Sequence, residues 1–389
     1  MGKTTKLLIY LLLVLTVFGL IMLASASPAQ AEKMKHAWSY FVVHQVVFIL
    51  IALAAGVGCA LVDYRIWGKL AIPLTLVAIA LLGLLVGLHV LSRLHIHTPL
   101  AHAVNGSWRW IFLGPVNFQP SELAKFSVLC WLAWWMTRVR RRAADVRLGF
   151  FMPLLGLGLV FGLIFVEPDF GTTFLVAFVG MTLMFLGGSR FKYLALAGMG
   201  GLVAFAILIM HNPVRMRRIL AFLWPEEYAQ KEAYQLLQAL YAMVLGGPTG
   251  VGFGGSIQKQ SYLPEAHTDF IFAIIGEEWG LIATLSVAFG FILFFILGMR
   301  ISFRAQDQFG RLLAFGITLM ITLQAAINIA VVTGCMPTKG LALPFISYGG
   351  SSILLTYIMV GVLVNIGRQT EADPRPGDFR CIRDQQHDF

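Results

Sequence analysis

Charge is scarce in this sequence. Only 12% of its 389 residues are Asp, Glu, Lys or Arg, whereas 58% are hydrophobic. A soluble globular protein usually carries about 25% charged residues, so this chain has too little charge to cover a water-facing surface. Acids are scarcer than bases, with 19 Asp and Glu against 29 Lys and Arg. A large soluble domain is therefore excluded as the main part of the chain.

Cysteine is scarce as well. The four cysteines, Cys59, Cys130, Cys335 and Cys381, show neither paired spacing nor a CxxC motif. Disulfide frameworks, thiol redox motifs and zinc sites all depend on such spacing. Unpaired packing or tail thiols are therefore the better interpretation, and no thiol-based metal or redox centre is predicted.

Apolar runs of about 20 residues, the length that crosses a bilayer as an α-helix, recur along the chain. The runs are continuous and do not alternate, which excludes a transmembrane β-barrel. We predict an all-α polytopic membrane protein with about ten transmembrane helices. The predicted spans are about 5–24, 41–62, 69–93, 119–137, 148–166, 170–187, 191–211, 269–298, 310–333 and 342–366.

The basic residues predict the orientation. Five arginines lie in Thr137–Arg147, and most of the other Lys and Arg residues fall in loops on the same side or near the two termini. By the positive-inside rule, these loops and both termini are cytoplasmic. The net charge of +10 then reflects topology, and no nucleic-acid partner is needed. We predict one transmembrane domain, residues 1–368, with an extracytoplasmic loop at about 211–268 and a cytoplasmic tail at 369–389.

The long outer loop contains a helical pattern followed by glycines. Apolar residues in "YQLLQALYAMVLGG" recur with helical spacing, which predicts a helix along the interface or against the bundle. The following "GGPTGVGFGG" has no GK[ST] and no preceding strand, so a phosphate-binding loop is a poor interpretation. Turns and hinges are the expected role of these glycines.

Ionisable residues in or beside membrane spans are costly and mark candidate functional sites. Glu122 and Lys125 lie on one helical face, where a structural ion pair and a ligand-binding role are about equally supported. Thr268 is the predicted N-cap of span eight, with Asp269 ionised at the positive helix end. Farther along, at least one of Glu277 and Glu278 is expected to face protein or a wet cavity.

The outer side also collects cations near Asp269. Arg109, Lys259 and Lys339 all fall in or next to the predicted outer loops. Cations beside a carboxylate suit an anionic amphiphilic ligand such as a lipid phosphate, although a transporter fits almost as well. Glu265 and His267 give a weakly specific metal pattern. A nucleophilic Ser351 lacks a base at motif distance, so close helix packing explains it better.

Several motifs occur together in one order. They are "IMLASAS", "NGSWRWIFLGPVNFQPSELAKF", "EPDFGTT", "YLPEAHTDF" and "MPTKGLALPFISYGGSS". With these motifs the chain closely resembles the SEDS family of bacterial cell-wall proteins over nearly its whole length. "LPEAHTDF" and "MPTKG" are more similar to its division branch, FtsW, than to its elongation branch, RodA. Two departures are Ser261, where FtsW often has Glu, and Ala233 in the family's GYQ pattern.

The resemblance implies ten transmembrane helices and peptidoglycan glycosyltransferase activity on lipid II, with a class B penicillin-binding protein as partner. It implies that Asp269 is the essential acid, and it matches Arg109 and Lys125 to family residues. We expect Asp269 to be the general base of an inverting single displacement. The expected substrate-binding residues are Arg109, Glu122, Lys125, Lys259, Glu265, His267, Glu277, Lys339 and Ser351.

The same resemblance places the protein in the bacterial inner membrane at the division septum, among other division proteins and membrane lipids. Mg²⁺ or Mn²⁺ at the lipid diphosphate is an open expectation. Two alternatives to an enzyme remain: a lipid II flippase using Glu122, Lys125 and Glu277, and a non-catalytic scaffold that activates the penicillin-binding protein. No inverted repeat or pair of broken helices in the sequence supports the flippase.

Overall fold

A computed structural model describes residues 2–93, 100–101, 108–114, 116–211 and 213–372. These residues form thirteen α-helices and one short antiparallel hairpin. The helices are α1 (Lys3–Ala26), α2 (Pro28–Lys33), α3 (Tyr40–Leu61), α4 (Arg65–Arg93), α5 (Pro120–Arg138), α6 (Met152–Val166), α7 (Phe170–Leu186), α8 (Phe191–Met210), α9 (Pro213–Leu223), α10 (Tyr234–Gly246), α11 (Ile271–Arg304), α12 (Gln308–Val332) and α13 (Gly350–Ala372). The hairpin pairs β1 (Ile111–Leu113) with β2 (Val116–Phe118).

The helices confirm an all-α polytopic membrane protein. Within the described residues, eight helices are long and apolar enough to cross a membrane. They are α1, α3, α4, α6 with the π-helical turn Val146–Phe151 before it, α8, α11, α12 and α13. The other two predicted spans coincide with α5, which is less apolar, and α7, which has 17 residues. Each predicted span therefore overlaps one helix.

Helices α12 and α13 form the centre of the bundle, whereas α8 is largely exposed. The principal neighbours are α3 with α13, α11 with α12, α4 with α5, and α11 with both α1 and α10. Glycines permit the close approach of α3 and α13: a Cβ atom on Gly361 would lie 2.2 Å from the carbonyl oxygen of Gly56. Small residues at such contacts are typical of membrane helix packing.

Helix α11 differs from the continuous span predicted at 269–298. It begins at Ile271 and is broken at Gly280, where φ is +71°. A break exposes backbone groups that need partners inside a membrane. The loop after α10 supplies them: Leu281 N–H donates to the carbonyl of Gly247 at 2.9 Å, and Val251 N–H donates to that of Glu277 at 2.9 Å. The glycine-rich segment is thus part of the packed bundle.

Helix α10 lies against α11. A Cβ atom on Gly246 would lie 1.9 Å from the carbonyl oxygen of Gly276, so the two backbones are in direct contact. Of the two placements predicted for this segment, packing against the bundle is therefore the observed one.

The tenth span begins later than predicted. Helix α13 starts at Gly350, and residues 342–349 form a loop within the bundle. Its apolar side chains, including Leu343, Phe345 and Ile346, are buried. Pro344 has no N–H group to donate to a helix, and Phe345 has a φ of +67° that helices exclude. Apolar composition alone cannot separate a buried loop from a span.

The tail predicted at 369–389 starts within α13, which continues to Ala372. The remainder of that tail, with Cys381, lies outside the described residues, as do residues 105–107 and 115 of the motif that contains Arg109.

Candidate functional site

Asp269 lies in a turn that precedes α11. The N–H groups of Thr268 and Phe270 both donate to the carbonyl oxygen of Glu265 at 3.2 Å. The hydroxyl of Thr268 donates to a carboxylate oxygen of Glu265 at 2.8 Å. The predicted N-cap role of Thr268 is therefore wrong: Phe270 is the cap residue, and Asp269 stands two residues before Ile271.

The backbone of residues 267–269 is fixed by α12 and by the loop that joins α12 to α13. The carbonyl oxygens of residues 267–269 accept hydrogen bonds from Tyr348 N–H at 3.1 Å, Ser347 Oγ at 2.6 Å and Asn328 Nδ2 at 2.8 Å, in that order. Asn328 Nδ2 also donates to the carbonyl of Leu341 at 2.6 Å. Side chains and backbone from two elements thus fix the position of the turn.

The Asp269 carboxyl group faces the segment Met336–Leu341. A Cβ atom on Gly340 would lie 2.6 Å from Oδ2 of Asp269. The neighbouring Lys339 is half-buried, with Nζ 5.8 Å from the ring centre of Phe174. Burial lowers the pKa of Lys339, and the negative Asp169 opposes that shift. Lys339 adjoins Gly340 in the chain and lies within electrostatic range of Asp169, and its predicted role beside Asp269 stays a prediction.

The pKa of Asp269 is raised to about 7, chiefly because burial disfavours the charged carboxylate. The negative charges of Glu265 and Asp169 raise this pKa further, and Arg109 lowers it. The expectation of an ordinary, fully ionised Asp at a helix end is therefore wrong. A carboxyl group that titrates near neutral pH is a stronger base than an ordinary Asp and still ionises under physiological conditions.

Arg109 reaches the turn between α6 and α7. Its Nε donates to the carbonyl of Glu167 at 3.2 Å, and its Nη2 donates to that of Pro168 at 2.5 Å. Asp169, the next residue, accepts from the N–H of Thr172 at 3.2 Å and caps α7. Arg109 therefore links the turn of Asp169 with the surroundings of Asp269.

Glu167 is a buried carboxyl group that the sequence did not single out as a site residue. It is 2% exposed, and neither carboxyl oxygen has a hydrogen-bond partner among the described residues. Burial, then Asp169, raises the pKa of Glu167 to about 9, while Arg109 opposes the shift. Glu167 is therefore neutral at pH 7. It does not neutralise Arg109, whose positive charge stays available to other groups.

Glu122 and Lys125 form a buried ion pair with an N–O distance of 2.8 Å. Lys125 also donates to Oε1 of Gln324 at 2.8 Å, and Nε2 of Gln324 donates to the carbonyl of Ala342 at 2.8 Å. Through Gln324, the ion pair of Glu122 and Lys125 therefore supports the α12–α13 loop. This connection favours the structural interpretation of the pair. Its predicted contact with substrate stays a prediction.

Glu277 lies on α11 and Lys259 lies beside that helix, and each has its own partner. Glu277 accepts hydrogen bonds from the hydroxyl of Ser256 and from the N–H of Ile257, the latter at 2.8 Å. Lys259 pairs with Glu278 at 2.7 Å. Both acids are buried against protein, as expected for carboxylates in this span. They attach the glycine-rich segment to α11, and their predicted role in substrate binding stays a prediction.

His267 and Ser351 occupy packing positions. The ring of His267 lies 4.8 Å from that of Phe41, and burial lowers the pKa of His267, while the negative Glu265 opposes that shift. The hydroxyl of Ser351 donates to the carbonyl of Asn117 at 2.9 Å and accepts from the N–H of Gln119 at 3.2 Å. It joins the β1–β2 hairpin to the start of α13, in agreement with the non-nucleophilic interpretation.

Among the described residues, no three His, Cys, Asp or Glu side chains come together as a metal site would require.

Sequence reasoning missed two amides at the site, Gln324 and Asn328. They are buried and lie four residues apart on α12, one helical turn, and both donate to the α12–α13 loop. Polar side chains at that spacing in an apolar span were the available signal. No sequence signal linked Gly340 to Asp269, because only the fold brings the two residues together.

Comparison with known proteins gives the family. Residues 5–372 match the cell cycle proteins grouped as FtsW, RodA and SpoVE. The chain belongs to this SEDS family. A probable peptidoglycan glycosyltransferase FtsW from Trichlorobacter lovleyi is 37% identical over 95% of the chain and 94% of its own length. One from Geobacter sulfurreducens is 38% identical over 92% and 94%.

Solved SEDS structures share the fold. A chain from a peptidoglycan synthase complex that couples polymerization and crosslinking aligns with a TM-score of 0.76 at 26% identity, covering 94% of this chain and 98% of that one. An Asp-to-Ala mutant of the Thermus thermophilus rod shape determining protein RodA aligns with a TM-score of 0.69 at 25% identity, covering 94% and 98%. The resemblance to the SEDS family stated from the motifs is confirmed.

Proposed function

We propose that this SEDS protein is a peptidoglycan glycosyltransferase that polymerises lipid II into glycan strands. The observation that carries the proposal is the Asp269 carboxyl group, which titrates near pH 7 with Arg109 within electrostatic range. Its backbone is fixed by bonds from Asn328, Ser347 and Tyr348. A positioned base beside cations suits a reaction between a hydroxyl nucleophile and a diphosphate leaving group. The FtsW relatives named as probable glycosyltransferases support it.

In the proposed reaction, Asp269 takes the proton of the acceptor sugar's 4-hydroxyl group. That oxygen forms a bond to the anomeric carbon of the donor, and the bond from this carbon to the diphosphate oxygen breaks. Undecaprenyl diphosphate leaves with the bonding electron pair, and the configuration at the anomeric carbon inverts. A single displacement of this kind needs one base on the acceptor side.

The leaving diphosphate needs positive charge at the moment of bond cleavage. Arg109 and Lys339 are the groups we assign to it, because they carry charge near Asp269 and Asp169. Lys125 is engaged by Glu122 and Gln324. We therefore assign Lys125 a positioning role through the α12–α13 loop. A divalent cation at the diphosphate remains part of the proposal to be tested.

The proposed location, orientation and partner of the protein follow from its family. We propose that the protein acts at the outer face of the bacterial inner membrane, with both termini cytoplasmic, during septal wall synthesis. A class B penicillin-binding protein is the proposed partner, supported by the likeness to a chain of a synthase complex that joins polymerization to crosslinking. Other division proteins would recruit the pair to the septum.

Polymerisation of fluorescent lipid II by the purified protein, with and without its partner and divalent cation, tests the proposal. Wild type should give glycan polymer, and Asp269→Asn should not. The matched control is Asp145→Asn, which removes the same charge from an exposed loop. Wild-type polymerisation by Asp269→Asn would contradict the assignment of Asp269 as the base.

Two competing functions predict different results. A flippase should move labelled lipid II across a bilayer in the absence of polymerisation, and this activity should persist in Asp269→Asn. A pure scaffold should give no polymer when the penicillin-binding protein's own transpeptidase is inhibited and no other glycosyltransferase is present. It should also tolerate every Asp269 substitution that preserves the complex.

A further inference from the structure

A cavity of about 330 Å³ lies at the other end of the bundle from Asp269. It is open to the surface and is lined by residues at the start of α4, the end of α5 and the start of α12. Its lining includes Arg65, Lys69, Trp134, Arg138, Asp307 and Phe309. The arginine-rich segment after α5 identifies this end as the predicted cytoplasmic side. We call this the inner cavity.

One acid in the inner cavity is already satisfied. The carboxylate of Asp307 accepts hydrogen bonds from Tyr64 Oη at 3.0 Å, Arg65 Nε at 3.3 Å and the N–H of Gly310 at 2.6 Å. Asp307 therefore neutralises Arg65 and caps α12. It has little remaining capacity to neutralise the other two cations.

Lys69 and Arg138 are those cations. Neither forms an ion pair with an acid in the described part of the chain, and both are exposed at the cavity. The guanidinium of Arg138 lies 5.4 Å from the ring centre of Trp134, which fixes it against the wall by a cation–π contact. Two cations on different helices thus line one cavity, whose lining acid, Asp307, already contacts Arg65.

The deeper wall is apolar. Gly68 faces Phe309, and a Cβ atom at position 68 would lie 3.4 Å from the ring's Cζ. Gly68, Trp134 and Phe309 form an apolar part of the lining beside the charged side chains. Cations at the rim and an aromatic wall match an amphiphile that presents an anion to water and a hydrocarbon to the protein.

We propose that the inner cavity binds the phosphate headgroup of an anionic lipid from the cytoplasmic leaflet. Basic pockets between membrane helices on that side are suited to such headgroups. Topology alone explains an excess of Lys and Arg on this side. It does not explain why two cations without an ion-pair partner among the described residues lie at one cavity that is lined by Gly68 and by the aromatic rings of Trp134 and Phe309. The proposal is independent of the glycosyltransferase activity.

Native mass spectrometry of the full-length protein, with phosphatidylglycerol or phosphatidylcholine added, measures the preference directly. Wild type should retain phosphatidylglycerol about tenfold better than phosphatidylcholine, and Lys69→Gln with Arg138→Gln should lose that preference. Gly68→Leu should also lose it, because this change fills the cavity and keeps every charge. The control is Arg147→Gln with Lys192→Gln, which removes two cations from the same side outside the cavity and should retain the preference.

Three results would overturn the proposal. One is an equal loss of the phosphatidylglycerol preference in the control pair, which would indicate that net charge alone determines the preference. Another is full preference in a folded Gly68→Leu variant, which would indicate a surface effect without the cavity. The last is displacement of the lipid by inorganic phosphate at millimolar concentration, which would make free phosphate the ligand. Thermal unfolding of each variant verifies its fold, and the Lys69 and Arg138 changes remain decisive if Gly68→Leu fails to fold.

Discussion

The carboxyl group of Asp269 occupies space that a side chain at Gly340 would need. A Cβ atom at position 340 would lie 2.6 Å from Oδ2 of Asp269, closer than any van der Waals contact allows. The glycine lies in the MPTKG motif and the acid in the HTDF motif, 71 positions apart by their numbers 340 and 269. The two motifs therefore meet at one carboxylate oxygen, and the glycine limits where that oxygen can lie.

Gly340→Ala should displace the Asp269 carboxylate and slow glycan polymerisation. A misplacement of about 1 Å at a reacting group can cost about 100-fold in rate. Gly340 is exposed and the displaced atom is the end of a flexible side chain, so unfolding should change little. The measurement is the initial rate with the thermal midpoint. Gly198→Ala, the same change in open space, should leave the rate unaltered; an unaltered rate in Gly340→Ala would contradict the positioning role.

Glu265→Gln should move the pH dependence of polymerisation to lower pH. The base is active when deprotonated, and the negative charge of Glu265 raises the pKa of Asp269, which lies at about 7. Removing that charge lowers this pKa, so the rate rises at a lower pH. Arg109 lowers the same pKa, so Arg109→Gln should shift the rise upward. Initial rates between pH 5 and 9 measure both shifts. A shift of both variants in one direction would contradict this electrostatic account.

Asn328→Ala should weaken the fold around the site. The amide holds the carbonyls of Asp269 and Leu341, and it is 2% exposed. Leaving such groups buried without a donor costs about 1–3 kcal/mol. We expect a lower thermal midpoint together with slower polymerisation. Asn117→Ala, at an exposed position, is the control; equal midpoints for the two variants would show that the Asn328 bonds carry no stability.

Lys259 and Glu278 should be coupled in stability. Their ion pair is buried, with side chains 13% and 0% exposed. Removing one partner of a buried pair costs about 3–5 kcal/mol because the other charge stays buried. Lys259→Met and Glu278→Leu should therefore each lower the thermal midpoint, and the double variant should recover part of the loss. The half-exposed pair of Arg217 and Glu232 is the control, where a single change should cost less than about 1 kcal/mol.

The positions and order of the long helices could be predicted from the sequence, because length and apolarity decide whether a segment can cross a bilayer. The start of α13 could not, since residues 342–349 are as apolar as a span but form a buried loop. The break of α11 at Gly280 also escaped prediction. Its partners, such as Gly247, lie in a distant glycine-rich segment whose packing is a tertiary property.

Asp269 and its charged neighbours were identifiable as a group, since polar residues are rare in this chain and the family motifs contain them. Their individual roles were not identifiable from spacing. Lys125 is committed to Glu122 and Gln324, and Lys259 is committed to Glu278. The elevated pKa of Asp269 depends chiefly on burial, which local sequence does not specify.

The central claim is that the Asp269 carboxylate is the base of glycan polymerisation. Its most direct test is the rate of glycan formation from lipid II across pH 5 to 9, for wild type and for a folded Asp269→Asn variant with the same partner. The wild-type rate should rise with a midpoint near the pKa of about 7. The variant should show no such rise and should be slower by about 10²–10⁴-fold. A variant that polymerises at the wild-type rate with the same pH profile would contradict the claim.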